Sequence, residues 1–407
     1  MNTTSASRRA IIVGGSLGGL FTANLLLRNG WQVQVFERVA DALTGRGAGI
    51  VTHPQLLDGL LKAGVKVDDD LGVRVSTRVT LHQDGTVEAE HELPQLLTAW
   101  SRMYHVLHQA LPAEHYLTGR SVRAVQHLPD RARVILDDNS VHEADLVVAA
   151  DGLRSRIRQQ LMPEAQLQYA GYVAWRGLVE EQDLSDTTRQ TLFDRFAFCL
   201  PPHEQILGYP VAGALDSTRV GQRRYNFVWY RATDEQQALA DMLTDEHGKR
   251  WPDGIPPGLI RRQVIQDMRQ AAHRLLAPAF TEVVEKTSQP LFQPIYDLQV
   301  PRMNHGRIAL LGDAAFVARP HCGMGVAKAA GDAMELVNAL ASTADVSAAL
   351  ASYSQRRTPY GAAIVQHARH LGAYMQAQLL SDMERTMAER YRTPEAVMRE
   401  TAVDPEF

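Results

Sequence analysis

The chain has little cysteine, little net charge and no long apolar run, and each shortage removes a class of function. Its two cysteines, Cys199 and Cys322, are far apart and form no metal-binding or redox motif, so a reducing cytosol is the simplest setting. A formal net charge of −4 supplies no broad basic field, which argues against a nucleic-acid partner. Arg8 and Arg9 precede a short apolar stretch, but Gly14-Gly15 breaks it well short of a signal or membrane segment. Internal repeats and low-complexity tracts are absent as well. What is left is ordinary soluble material: 407 residues, 45% hydrophobic and 22% charged, enough for about two or three domains. A cytoplasmic protein with no membrane partner is expected.

One stretch is dense with signals. Ile11-Ile12-Val13 is the β-branched run of a buried parallel strand, and it enters Gly14-Gly15-Ser16-Leu17-Gly18-Gly19 directly. Leu20 to Leu27 reads as a helix stopped by Asn29-Gly30, with glycine in the usual C-terminal place. Val33 and Val35 alternate in a second strand that ends at Phe36-Glu37-Arg38. This order predicts a βαβ unit that seats a dinucleotide's pyrophosphate on a helix N-terminus. Glu37 stands where an acid that accepts from the adenosine ribose is expected. One position departs from G-x-G-x-x-G: Gly14 and Gly19 match the outer glycines, but the middle one is Ser16. Its Cβ crowds the approach of a phosphate, whereas its hydroxyl is able to donate to one.

Further on, Gly45, Arg46, Gly47 and Gly49 suggest a loop passing close to a ligand before a strand resumes. Pro54–Ala63 reads as a helix with Leu56, Leu57, Leu60 and Leu61 on one face. Val73–His82 alternates as a strand, Asp84-Gly85 signals a hairpin, and Ser101–Leu111 reads as a helix with Arg102 in its first turn. A small antiparallel meander is expected over Val122–Val125, Arg133–Leu136 and Val141–Glu143. Asp145–Ala150 is a second buried strand; it ends in Asp151-Gly152, and a helix opens around Arg154–Arg158. From Tyr169 to Tyr230, β-branched and aromatic residues predict a mainly antiparallel sheet. Helices follow at Asp234–Leu243 and Pro257–Leu276. Arg307–Leu311 is a third buried strand, capped by Gly312-Asp313-Ala314-Ala315. The Arg319–Gly325 loop then leads into a helix over Val326–Ala341, and the rest is helical to about Arg392, with Pro359 a boundary or kink.

Three strand-end motifs therefore stand in order: Gly14–Gly19, Asp151-Gly152 with Arg158, and Gly312-Asp313. Each alone is most simply a turn. All three together, from about Ile11 to Tyr360, resemble the group A flavoprotein aromatic monooxygenases. A subgroup with serine at the second glycine is matched by Ala170–Gly177 and by Gly312–Ala315 followed by Arg319-Pro320-His321. The resemblance implies an α/β fold: a Rossmann-like FAD-binding domain with an inserted antiparallel β-sheet substrate domain and a C-terminal helical region. The expected boundaries are 1–168 and 291–342 for the FAD-binding domain, 169–290 for the substrate domain and 343–407 for the helical region.

The same resemblance implies non-covalent FAD, with NADH or NADPH as a transient co-substrate and O2 as oxidant. The substrate would be a small electron-rich aromatic or N-heteroaromatic ring, phenol- or hydroxypyridine-like, hydroxylated through an oxygen adduct at flavin C4a. Gly14, Gly15, Ser16, Leu17 and Gly19 would cradle the ADP half, with Glu37 and Arg38 beside its ribose. Arg46, Gly49 and Arg102 would lie along the cofactor, the arginines supplying charge. Asp151 and Gly152 would serve both FAD and the nicotinamide, and Asp313 the ribityl chain. Pro320, Gly323 and Gly325 would face the pyrophosphate and isoalloxazine.

For catalysis the candidates are His53, Tyr209 and His321; a surface histidine, a sheet-core tyrosine and a loop-packing histidine are the plainer readings. Tyr225, Trp229 and Tyr230 read first as sheet core. Arg176 and Arg319 suit either an anionic substrate oxygen or structural ion pairs. No metal site is expected, since His367 and His370 share a helix face with no third ligand. A homodimer is an expected assembly. Phe316, Met324 and Ala327 replace polar residues common elsewhere in the family, which leaves the flavin's pyrimidine side more apolar. A flavin halogenase or reductase and a non-catalytic FAD-binding protein are the alternatives. The halogenase signature Trp-x-Trp-x-Ile-Pro is missing.

Overall fold

The computed structural model describes residues 7–41, 49–376 and 381–405. The chain opens with β1 (Arg9–Val13), α1 (Leu17–Arg28), β2 (Gln32–Phe36), β3 (Gly49–Val51) and α2 (Pro54–Lys62). It continues through β4 (Val73–Leu81), β5 (Val87–Ala99), α3 (Trp100–Ala110) and β6 (Tyr116–Leu117). Next come β7 (Val122–His127), β8 (Ala132–Leu136), β9 (Val141–Ala144), β10 (Leu146–Ala149) and α4 (Arg156–Leu161). The middle of the chain supplies β11 (Gln168–Glu180), α5 (Asp186–Leu192), β12 (Arg195–Cys199), β13 (Glu204–Val211) and β14 (Arg224–Ala232). Three helices follow: α6 (Ala238–Met242), α7 (Arg262–Leu275) and α8 (Pro278–Lys286). The last strands are β15 (Leu291–Gln299), β16 (Asn304–His305), β17 (Ile308–Leu310) and β18 (Phe316–Val317). Helices α9 (Gly325–Ser342), α10 (Val346–Leu371), α11 (Asp382–Tyr391) and α12 (Pro394–Glu400) close the described chain.

A six-stranded sheet runs in the order β16-β17-β10-β1-β2-β6, parallel throughout except for β16. Its central strands are apolar because both faces are covered; all four residues of β10 are buried. Helix α1 ends as its sequence predicts: Gly30 takes φ +79°, Trp31 N–H donates to Leu26 O (3.1 Å) and Gly30 N–H to Leu27 O (3.1 Å), a Schellman closure. Strands β1, β10 and β17 are neighbours, so the three strand-end motifs lie side by side at their carboxyl ends, where α/β sheets bind ligands.

The second sheet has nine strands, β18-β15-β11-β14-β13-β12-β4-β5-β3, antiparallel except for β12 against β4. It extends beyond the Tyr169–Tyr230 stretch by recruiting β3, β4 and β5 from one side and β15 and β18 from the other. Strand β5, polar in its first half, has no strand signature. It forms on the β4 edge, with Pro94 at the register shift where no ladder N–H is needed. The pleat sorts the large residues by parity. Tyr172, Tyr209, Val228 and Tyr230 face inward to the core shared with the first sheet. Trp175, Tyr225, Phe227 and Trp229 face outward into a second core under α5, α7 and α8. The aromatic residues grouped together in the sequence thus part company. Tyr172, Tyr209 and Tyr230 are the ones on the inner face.

Other expectations need correction. Leu61 is 58% exposed, so the apolar face of α2 is Leu56 and Leu60 with Leu57 at its margin. The helix expected at Asp234–Leu243 is only α6, and the one at Pro257–Leu276 is a 3₁₀ turn followed by α7. Pro359 bounds nothing: α10 passes through it, because Leu350, Tyr353, Ile364 and Val365 bury the helix on both sides of the missing N–H.

Candidate active site

Backbone fit comes first at the β1–α1 turn. Gly14 has φ +103°, and a Cβ there would sit 2.3 Å from Ala150 O at the end of β10. A Cβ on Gly19 would sit 1.9 Å from Gly14 O, so that glycine lets α1 close onto the turn. Glu37 is buried, and its carboxylate accepts from Gly15 N–H (2.8 Å) and Val39 N–H (2.9 Å), tying the end of β2 to the turn. Ser16 is the N-cap of α1, yet its side chain caps nothing. A cavity of about 170 Å³ opens here, lined by Gly14, Ser16, Glu37, Arg38, Asp151 and Gly152. Trp100, Arg120 and Arg154, not foreseen, complete its walls. Asp151 Oδ1 is buried without a partner among the described residues, and burial raises the carboxyl's pKa. Of the remaining candidates, Gly15 packs on the Tyr116 hydroxyl and Leu17 enters the core. Arg102 is outside the cavity lining and meets Asp216 instead (3.5 Å). Arg46 lies outside the described residues.

The β17 end is built on charges the sequence reading passed over. Gly312, at φ +63°, donates its N–H to Asp332 Oδ2 (3.1 Å), while Asp332 Oδ1 accepts from Arg357 Nε (2.7 Å). Asp313 keeps a half-exposed side chain, with the buried Lys328 ammonium 3.9 Å away. The surrounding protein partly desolvates this carboxyl and raises its pKa despite that exposure, and Lys328 opposes the shift. Arg158, also buried, donates to Ala314 O (3.3 Å) and Leu153 O (3.0 Å), and so joins the Asp151 loop to the Asp313 loop. Lys328 and Asp332, one turn apart among the alanines of α9, were the available signal. A Cβ on Gly18 would touch Leu311 (3.1 Å) and Ala329 (3.5 Å), so the first turns of α1 and α9 pack together. No side chain caps α9, and both helix N-termini carry partial positive charge.

Between this end and the inner sheet face lies the Arg319–Gly325 loop. Gly323 takes φ +65°, and His53, N-cap of α2, places Nε2 3.3 Å from Gly323 O. His321 Nε2 is 2.7 Å from the Tyr172 hydroxyl, its ring is 4.2 Å from that of Tyr230, and its Nδ1 is buried without a partner among the described residues. Burial lowers both histidines' pKa values, His321's well below 6.5 with Arg319 and Arg176 adding to the effect. Tyr209 packs on Phe196 (4.8 Å) and on Gly49, where a Cβ would be 2.3 Å from its ring. Gly49 N–H donates to Asn226 Oδ1 (3.0 Å), and Asn226 pairs with Tyr209 across the ladder. The two arginines resolve differently. Arg319 is closed in an ion pair with Asp297 (2.8 Å), whereas Arg176 makes no hydrogen bond or ion pair among the described residues.

Residues 169–297 match a family described as FAD binding domain-like. The chain is 30% identical to 2,6-dihydroxypyridine 3-monooxygenase of Paenarthrobacter nicotinovorans, over 90% of its own length and 91% of the relative's. The chain belongs to the FAD-dependent aromatic monooxygenases. Another relative in this group, 6-hydroxynicotinate 3-monooxygenase of Bordetella bronchiseptica, is 28% identical over 86% of this chain and 87% of its own. The solved structure of 2,6-dihydroxypyridine-3-hydroxylase from Arthrobacter nicotinovorans superposes with a TM-score of 0.86 at 29% identity, covering 91% of this chain and 93% of that one. Klebsiella pneumoniae HpxO, solved with FAD and uric acid, shares the fold at a TM-score of 0.74 and 21% identity, over 97% of this chain and 93% of its own. As a monooxygenase of this family the protein uses FAD, a reduced nicotinamide and O2 on an aromatic or heteroaromatic ring.

Proposed function

We propose that this monooxygenase hydroxylates a small anionic hydroxypyridine- or phenol-type ring held between the Arg319–Gly325 loop and the inner face of the nine-stranded sheet. The observation that carries this reading is Arg176. It is half-buried and without a hydrogen bond or ion pair among the described residues, on the strand face that carries Tyr172, and its charge is felt by Tyr209, Tyr230 and His321. A cation withdrawn from water without a counterion is costly, and a deprotonated ring oxygen would complete it. The relatives' names, dihydroxypyridine and hydroxynicotinate monooxygenases, point to the same ring class.

The residues present fit FAD. Asp151 Oδ1 is an orphaned acceptor among the described residues, the Ser16 hydroxyl caps nothing, and a Cβ on Gly152 or Gly325 would meet open space. On this reading Gly14, Ser16, Glu37 and Arg38 hold the ADP half, Asp313 the ribityl chain, and Gly323 and Gly325 lie by the isoalloxazine. When bound, FAD accepts hydride from NADH or NADPH and activates O2 for transfer of one oxygen atom to the ring. The chain's own work is positional and electrostatic. Burial keeps His53 neutral at neutral pH, so it is able to accept a proton from a ring hydroxyl. Tyr172 fixes the His321 ring and leaves Nδ1 for the substrate. Arg176 favours the anionic, electron-rich form of the ring, and the tyrosine-lined face excludes water.

The division into 1–168 with 291–342, 169–290 and 343–407 is retained as a proposal, with β3–β5 lent to the substrate sheet. No helix among the described residues is long and apolar enough to cross a membrane. A cytoplasmic homodimer that binds neither membrane nor nucleic acid is the proposed working state. The test is Arg176→Met in holoenzyme assayed with a series of hydroxypyridines and phenols. Loss of a charge-assisted contact worth about 1.5–3 kcal/mol should raise KM for the anionic ring roughly tenfold or more. An unchanged KM would remove Arg176 from the pocket.

A further inference from the structure

We propose that the segment Met398–Ala402 is a strap that positions the loop His321–Gly323, and that Arg78 is the residue that holds the strap. The proposal rests on the reading of that loop as the one beside the flavin. Arg78 lies in β4 and is wholly buried, a place where an arginine is ordinarily matched by a carboxylate. Among the described residues, none of its hydrogen-bond partners is a carboxylate. Its Nη1 donates to Met398 O (2.7 Å) and Thr401 O (2.6 Å), and its Nη2 to Ala402 O (3.3 Å). Nε and Nη2 both reach Gln95 Oε1 (2.9 and 2.7 Å), and Gln95 Nε2 turns back to Ala402 O (3.2 Å). The plane of the cation is completed by Phe196, 4.7 Å from its ring centre. The fork of Arg78 thus gathers the carbonyls at the end of α12, which have no partner within the helix.

What the clamp achieves is visible at Ala402. This residue has φ +53°, a conformation that an alanine keeps only where its surroundings impose it. In that conformation its N–H donates to His321 O (2.6 Å). Its side chain also sets the limit on the loop: a Cβ on Gly323 would be 3.0 Å from Ala402 Cβ and 3.3 Å from His53 Nε2. Gly323 therefore packs closely against both the strap and His53. Asp404, just past the strap, carries a charge that His53 feels, against the effect of burial. Sheet, strap, loop and histidine form one chain of contacts, and Arg78 and Ala402 are positioning residues that act through His321 and Gly323.

The test compares Ala402→Pro with Ala402→Gly in the full chain. Proline deletes the N–H that reaches His321 O and cannot adopt a positive φ; glycine keeps both. Amide hydrogen exchange of residues 319–325 is read in apoprotein and holoprotein, with the FAD dissociation constant from flavin fluorescence and the ratio of ring product to hydrogen peroxide. Ala402→Pro should speed exchange in that loop by about tenfold, with protection of β1 and β10 unchanged. It should also weaken FAD binding and move turnover towards peroxide, while Ala402→Gly keeps the wild-type loop protection. Wild-type loop protection in Ala402→Pro, or an equal loss of protection over the whole chain, would overturn the proposal. If Ala402→Pro does not accumulate as folded protein, Arg78→Lys replaces it, because a point charge cannot make the fork; the same loop-specific exchange is expected and its absence is decisive. Exchange is also read without cofactor, so a wild-type chain that bound no FAD would count against the functional reading and leave the strap's own result standing.

Discussion

His321 is buried with one ring nitrogen on the Tyr172 hydroxyl and the other free, and burial keeps it from binding a proton in the folded chain. The unfolded chain protonates the same group near its ordinary value of about 6.5. Below that pH the unfolded state holds more protons, so stability is fully present above it and falls with pH by up to about 1.4 kcal/mol per unit for this residue. His321→Gln should flatten the acid limb of urea-unfolding stability between roughly pH 6.5 and 5; an unaltered slope would mean the ring is not shielded as described. Asp313→Ala should yield mostly apoprotein on purification, and stoichiometric retained FAD would dissociate this carboxylate from the ribityl chain. Asp313 stood out in the sequence because it sits in a strand-end motif. Arg78 did not. The alternation of Val73, Val75, Val79 and Leu81 predicts that even-numbered positions face solvent, but the later half of β4 is covered on both faces and Arg78 and Thr80 are fully buried. Nothing local in the sequence reports that second cover.

At the level of elements, the βαβ unit was readable because strand period, glycine turn and capping agree over one short stretch. The tightest fit within it is at Gly19, where any Cβ collides with Gly14 O. Gly19→Ala should cost about 1–3 kcal/mol in thermal unfolding of the apoprotein and most of its FAD affinity. Full retention of both would mean the turn is looser than its geometry. Strand β5 and the length of α10 were harder to read for opposite reasons. The first half of β5 is polar and is a strand only because β4 offers an edge, whereas Pro359 advertises a break that burial on either side overrides. Parity along β11, β13 and β14 divides site-facing from core-facing aromatics, and that parity became usable only once the pairing Tyr209↔Asn226 and Ala174↔Tyr230 set the register.

Across the whole molecule, the loop after β18 is tied back to the nine-stranded sheet. Arg319, on the loop beside His321, meets Asp297 of β15 in a buried pair, with Gln376 as a further partner (3.2 Å). Asp297→Asn strands that cation and should destabilise by about 3–5 kcal/mol in urea unfolding, while replacing both partners by apolar residues should cost far less. Equal losses in the single and double variants would show that shape, not charge, is what the pair supplies. Long-range pairs such as Arg78 with Met398 bring together residues far apart in the chain, and composition or periodicity carries no trace of them. The family resemblance carried the fold and the cofactor, whereas the ring pocket had to be assembled in space. The most direct measurement is turnover of FAD-loaded protein with a reduced nicotinamide and a hydroxypyridine under isotopically heavy oxygen gas. A ring product carrying one labelled oxygen atom for each nicotinamide oxidised is the expected result. Nicotinamide oxidation that gives only hydrogen peroxide and an unlabelled ring with every hydroxypyridine and phenol tried would contradict it.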